Sequence, residues 1–335
     1  MTRLVIHAGP RNTSWSDVQR QLVAWRQPLH QAGVVLHPDD RPESWLTDAA
    51  ELARGVQTTA LVTTVDAAVS AGASIVLLSA ESVGDALRDP DQVANLVAFA
   101  KQFAMPLTVV AVVRDQLGRL NEVYCERVAL LQMARTFPSF AADPSPPQRY
   151  DYSTAFDAVI TDPEVDLVAV PYSDLDAGTE AKPVLRAGGV DPASISELPD
   201  TPPLLRPPGP VQVAAARLMF KRLWRLGIIK RAPRSSILEA AAALEEHSVT
   251  AGWDRAPYWG WDPASRAEAI GRYRPGNDKL ARSVWGREWG DDWPDFDFVE
   301  TDLASLDPRL VVDVLTTIDQ LVKDVDIPSE TAAES

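Results

Sequence analysis

The sequence predicts an α/β fold, a three-layer, mainly parallel sheet with flanking helices, followed by an α-helical C-terminal part. Three observations carry that prediction. Ser74–Ser79 and Pro106–Val113 are unbroken apolar runs, as expected of strands covered on both faces of a parallel sheet. Segments of helical period stand between the strand candidates, so strand and helix alternate through the first half of the chain. Prolines crowd 196–210, after which the patterns read as helices.

The chain opens on a strand, Arg3-Leu4-Val5-Ile6-His7, broken by Ala8-Gly9-Pro10. Arg11-Asn12-Thr13-Ser14 then supplies a cation and small polar side chains, and a helix follows from Trp15 to about His30, with Ser14 or Ser16 as its N-cap. Gly33–Pro38 is a second strand candidate. Helices are expected at Pro42–Gly55, with Pro42 near the start, and at Thr58–Ala71, closed by Gly72. After the Ser74–Ser79 strand comes Pro90–Phe103, a helix by spacing, and then the Pro106–Val113 strand with Arg114 at its end. Leu117–Phe137 reads as one long amphipathic helix. Tyr152–Ile160 is a short helix and Val165–Tyr172 a further strand. Beyond the proline-rich stretch, Val211–Leu226 and Ser235–His247 are helices, Trp253–Trp293 is rich in tryptophan, and Pro308–Val325 is a final amphipathic helix. The expected organisation is an α/β core over 1–195, a helical part over 196–327 packed on it, and a disordered tail over 328–335.

With 335 residues, 46% of them hydrophobic, the chain can bury one large core or two smaller ones. Its net charge of −15 repels nucleic acid and anionic membrane unless a local basic patch overrides the total. The single cysteine, Cys125, excludes an internal disulfide and a cysteine-based zinc cluster, and reads as a small buried hydrophobe. The four histidines, His7, His30, His37 and His247, lack metal-ligand spacing, and His7 reads as a structural strand-end residue. No apolar run reaches transmembrane length and no leader pattern is present, so a cytoplasmic protein is expected. Arginine outnumbers lysine, and Ala, Asp and Pro are frequent, an association with GC-rich bacterial genes.

In parallel sheets ligands bind at the carboxyl ends of strands. Three groups fall there: the Pro10–Ser16 turn, Ser79–Ser82 and Arg114. A strand feeding a helix through a small-residue turn aims unpaired N–H groups and a favourable dipole at an anion. The same turn also suits an ordinary capped helix.

Three segments resemble the P-loop sulfotransferases, especially the glycan-modifying, heparan-sulfate-type branch and its bacterial relatives. The first is His7–Ser16, HAGPRNTSWS, against a family pattern of strand, Pro-Lys-Thr/Ser-Gly-Thr-Thr and helix. Ungapped, Asn12 takes the lysine position, Ser14 the glycine and Ser16 the last hydroxyl; with one residue deleted, Arg11 takes the lysine position and Thr13-Ser14 the hydroxyls. Neither phasing keeps both lysine and glycine. The second is Val109–Tyr124, where Arg114 matches a family arginine and Glu122, beside Asn121, stands where the family has a serine. The third is Arg272–Trp293, RYRPGNDKLARSVWGREWGDDW, against Tyr-Arg-Pro-x-Asn-x-x-Leu followed by Gly-Arg-Asp-Phe-Gly-Trp.

The resemblance implies a P-loop sulfotransferase-like fold with 3′-phosphoadenosine 5′-phosphosulfate as sulfuryl donor and no metal. In it Pro10, Arg11, Asn12, Thr13, Ser14 and Ser16 hold the phosphosulfate, with Arg11 in the bridging-oxygen role. Arg114, with Asn121 or Glu122, meets the 3′-phosphate. Glu81 is the catalytic base for the hydroxyl of a glycan or small-metabolite acceptor; otherwise it is a helix N-terminal carboxylate. The alternative is a catalytically inactive relative that has lost the donor site and serves in binding or regulation. Lys279 and Arg282 share one helix face, and six tryptophans from Trp253 to Trp293 offer either a sugar platform or core packing. The acidic surface leaves room for a protein partner or a second copy.

Overall fold

The computed structural model describes residues 1–8, 15–39, 41–80, 83–143, 150–175, 178–201, 207–290, 293–294, 296–298, 303 and 306–327. The chain forms two compact units: Met1–Gln116, Pro147–Leu204 and Ile270–Asp292 make the first, and Leu117–Pro146, Leu205–Ala269 and Trp293–Ser335 the second.

The first unit is built on a five-stranded, all-parallel sheet. Its strands are β1 (Arg3–Ala8), β2 (Val34–Leu36), β3 (Ile75–Ser79), β4 (Leu107–Val113) and β5 (Val165–Pro171), in the order β2-β3-β1-β4-β5. Between β1 and β2 run α1 (Trp15–Ala24) and α2 (Arg26–Gln31); between β2 and β3, α3 (Pro42–Ala53) and α4 (Thr59–Ser70); between β3 and β4, α5 (Val83–Ala86) and α6 (Pro90–Gln102). Helix α7 (Gln116–Ala129) starts beyond β4, α8 (Phe137–Ala141) follows, and α9 (Tyr152–Ala155) and α10 (Asp157–Thr161) precede β5. After β5 come α11 (Ala181–Ala187) and α12 (Pro192–Ser196), then α13 (Pro210–Arg225), α14 (Ile228–Arg231), α15 (Arg234–Thr250), α16 (Pro263–Trp285) and α17 (Pro308–Asp324).

Pleating divides the sheet residues between two cores. Leu4, Ile6, Ala8, Val76 and Leu78 point to the core shared with α3, α4 and α6. Val5, Ile75, Leu77, Val110 and Val112 point to the core shared with α1, α2 and α11. Local chemistry supports the helices. Thr58 caps α4 by accepting from the Leu61 N–H, and Asp89 caps α6 from Asp91, with Pro90 at the first helical position. Gly33 turns the chain into β2 at φ +79°, where a Cβ would also lie 3.0 Å from Ser74 Oγ.

Several expected elements are subdivided. The first helix breaks at Trp25, because Pro28 cannot donate to Ala24. Ser16 lies inside α1, so it is not the N-cap. The long helix expected to Phe137 stops at Ala129, and Leu131 turns left-handed at φ +52° with its side chain buried. Tyr152–Ile160 divides at Phe156, itself buried, into α9 and α10. In each case a buried side chain or a missing N–H outweighs the helical period.

The second unit has α13, α15 and α17 packed on one another, with Met219, Leu223, Ile237, Leu244, Val314 and Ile318 among their buried residues. Asp254 closes the start of α13, accepting from the N–H groups of Val211 (2.8 Å) and Gln212 (2.9 Å). Gly260 passes so near Phe137 that a Cβ would fall 2.3 Å from its ring. Phe137 is in turn packed edge-on against Trp261 and Tyr124, with centroids at 4.9 and 5.2 Å. Gly260→Ala is therefore expected to lower unfolding stability by about 2 kcal/mol, read as a fall in the urea midpoint at unchanged slope.

Candidate functional site

The strand order decides where a ligand can sit. Right-handed crossovers place the connection after β1 on one face and those after β2, β3 and β4 on the other. The chain therefore leaves β1 in the opposite sense from both of its neighbours. Its carboxyl end is the topological switch point, where parallel sheets open a crevice.

Arg114 follows the last residue of β4, the strand paired with β1. Its backbone is pinned by one hydroxyl: Tyr152 Oη accepts from the Arg114 N–H (3.1 Å) and donates to the Arg114 carbonyl (2.7 Å). Its guanidinium carbon lies 3.9 Å from the centre of the Tyr172 ring, just past β5, and Nε lies 3.8 Å from the Asp115 carboxylate. The arginine side chain is 15% exposed. Tyr152 packs against Trp289 with centroids at 5.8 Å, Trp289 against Trp285 at 5.5 Å, and Trp285 Nε1 donates to the Ala169 carbonyl of β5. Two residues past Arg114, Gln116 Nε2 donates to Asn277 Oδ1 (2.6 Å) and Asn277 Nδ2 returns the bond to Gln116 Oε1 (2.8 Å). Both amides are fully buried, and Gln116 also donates to the Tyr150 carbonyl.

On the α1 side, His7 of β1 and Ser79 of β3 are in register. His7 Nδ1 and Ser79 Oγ share a hydrogen bond of 2.8 Å, and Gln19 of α1 donates to the Ser79 carbonyl. Burial pushes the His7 imidazole down to about 4, so it is neutral near pH 7. Among the described residues its Nε2 has no hydrogen-bond partner, nor has Gln19 Oε1.

Pro10, Arg11, Asn12, Thr13, Ser14 and Glu81 lie outside the described residues, as does the side chain of Ser16. Asn121 and Glu122 belong to the second unit. There the Asn121 amide donates to the Tyr258 carbonyl and accepts from the Gly260 N–H, at 2.9 Å each. Contact with a phosphate would require those bonds to break. Cys125 is buried, and burial, reinforced by Glu122, raises its thiol well above the ordinary range. Lys279 Nζ binds Asp157 (2.8 Å) and Arg282 binds Glu288 (2.7 Å). Those two cations are held by carboxylates and share no ligand.

The tryptophans divide between the units. Trp285 and Trp289 belong to the first, whereas Trp253, Trp259, Trp261 and Trp293 are buried in the second. Trp261 Nε1 donates to the Leu117 carbonyl and Trp253 Nε1 to Asp313. They pack as core rather than as one platform. The residues that position Arg114 escaped sequence reasoning. Tyr152 and Tyr172 carry no motif, although Asn277 stands inside the Arg272–Trp293 segment that was singled out. Among the described residues no cluster of His, Cys, Asp or Glu suits a metal, and no helix is long and apolar enough to cross a membrane. No family model, curated protein or solved structure matches the chain.

Proposed function

We propose that the carboxyl edge of the sheet is an anion site and that the chain is a sulfotransferase-like protein. In this reading it moves a sulfuryl group from 3′-phosphoadenosine 5′-phosphosulfate to a hydroxyl of a glycan or small metabolite. One observation carries it: Arg114 stands beside the switch point at the end of β1, with its backbone clamped by Tyr152 and its guanidinium laid on Tyr172. A cation held in place needs little reorganisation when an anion arrives.

The chemistry of this reading rests on Glu81, the Pro10–Ser16 segment and Arg114. The acceptor oxygen attacks sulfur, the bond from sulfur to the phosphate oxygen breaks, and the acceptor proton passes to the Glu81 carboxylate. In this reading the Pro10–Ser16 segment, which leads into α1, takes the phosphosulfate, and Arg11 takes the bridging-oxygen role. Arg114 holds the 3′-phosphate.

A second reading has support from a specific observation. Arg114 already has Tyr172 and Asp115 beside it, and Asn121 is fully engaged. With lysine and glycine missing from the turn, these fit a protein of the same fold that binds another ligand and has lost the donor. Calorimetric titration with 3′-phosphoadenosine 5′-phosphate separates the two. Micromolar binding that weakens at least about tenfold in Arg114→Ala supports the transferase. No heat at millimolar ligand leaves the donor-free protein.

A further inference from the structure

The chain as a whole repels anions, yet one stretch reverses the sign. Between Arg217 and Arg234 stand seven Lys or Arg and no Asp or Glu, in a chain of net charge −15. The stretch forms the end of α13, the turn at Gly227, all of α14 and the first residue of α15. Leu223 and Ile228 are buried and anchor this tip, whereas Trp224 is 58% and Leu226 55% exposed. Phe220 lies nearly parallel to Trp224, 6.4 Å away at 17°, and Lys230 Nζ sits 5.4 Å over the Trp224 ring. Phe220, Lys221, Trp224 and Arg225 line a shallow, open depression of about 620 Å³.

The cations here have unequal duties. Arg222 is paired with Asp319, and Arg231 donates to the carbonyls of Leu226 and Gly227. Lys221, Arg225 and Lys230 carry no ion pair among the described residues. Unpaired cations around a projecting tryptophan and leucine suit a surface that is negative at its plane and apolar beneath it. A bound acidic peptide would call for a groove, and the depression is open. A nucleobase stacking on Trp224 would have to displace Phe220 or Lys230.

We propose that this tip docks reversibly on an anionic phospholipid surface. Trp224 and Leu226 enter the headgroup layer, and Lys221, Arg225 and Lys230 meet the lipid phosphates. The test is co-sedimentation of the full chain with vesicles of phosphatidylglycerol in phosphatidylcholine, and with phosphatidylcholine alone. Binding to the first at low salt is expected, with at least about tenfold weaker binding in high salt or in Lys221→Glu/Arg225→Glu. These side chains are exposed, so the melting temperature of the variant should match the parent. Trp224→Ser should weaken binding and abolish the blue-shifted part of the fluorescence change on adding vesicles. The proposal fails if both vesicle types bind alike or neither binds. It fails equally if charge reversal has no effect, or if single-stranded oligonucleotide or polyglutamate binds more tightly than the anionic vesicles at the same salt.

Discussion

Asn277→Leu is expected to lower the unfolding free energy by about 3 kcal/mol. The Asn277 amide is buried and exchanges two hydrogen bonds with Gln116, at 2.6 and 2.8 Å. Leucine leaves Gln116 Oε1 with no donor in a site that water does not reach, and an orphaned buried amide costs more than the bond contributed. Repairing the mismatch should recover part of the loss. In Gln116→Met/Asn277→Leu the two orphaned groups vanish together, and only the bond to the Tyr150 carbonyl stays broken. Urea titrations of the parent, both single variants and the double variant give the coupling, expected at about 1–3 kcal/mol. Additive losses would mean that the pair is not formed. The result bears on function because Gln116 opens α7 only two residues beyond Arg114.

Acid should destabilise the chain through His7. Burial holds the imidazole at about 4, against 6.5 in the unfolded chain. Between these values the unfolded state binds a proton that the folded state refuses, so stability rises with pH across the window. Lowering pH from 6.5 towards 4 therefore removes stability, reaching about 3 kcal/mol once both states are protonated. His7→Asn keeps a polar side chain beside Ser79 and cannot titrate. Unfolding free energies at pH 7 and pH 4 should converge between parent and variant by about 3 kcal/mol as pH falls, carboxylate contributions being common to both. Parallel curves would show that His7 is not buried as a neutral ring.

The sheet was legible because its physics is local. Ile75–Ser79 and Leu107–Val113 are covered on both faces, and such strands read as unbroken apolar runs. Helix ends with a cap or a proline, such as Thr58 and Pro90, were equally plain. Breaks set by burial were not. Leu131 and Phe156 turn the chain because their side chains fill a core, which a helical period does not record. Nor does a helix announce which core it joins: Leu117–Pro146 clusters with the helical unit and Ile270–Asp292 with the sheet. Of the site, Arg114 could be found from its place after an apolar strand. Its partners could not, since Tyr152 and Tyr172 reach it only through the parallel pairing of β4 with β5. The basic run at 217–234 went unread in the sequence, and the exposure of its tryptophan and leucine shows only in the fold.

The proposed function puts an anionic nucleotide at the switch-point edge of the sheet. Backbone hydrogen exchange with and without 3′-phosphoadenosine 5′-phosphate locates it directly. Slowed exchange is expected at residues 9–18 and 113–116, and is lost in Arg114→Ala. Unchanged exchange throughout, or slowing confined to 205–269, would contradict it.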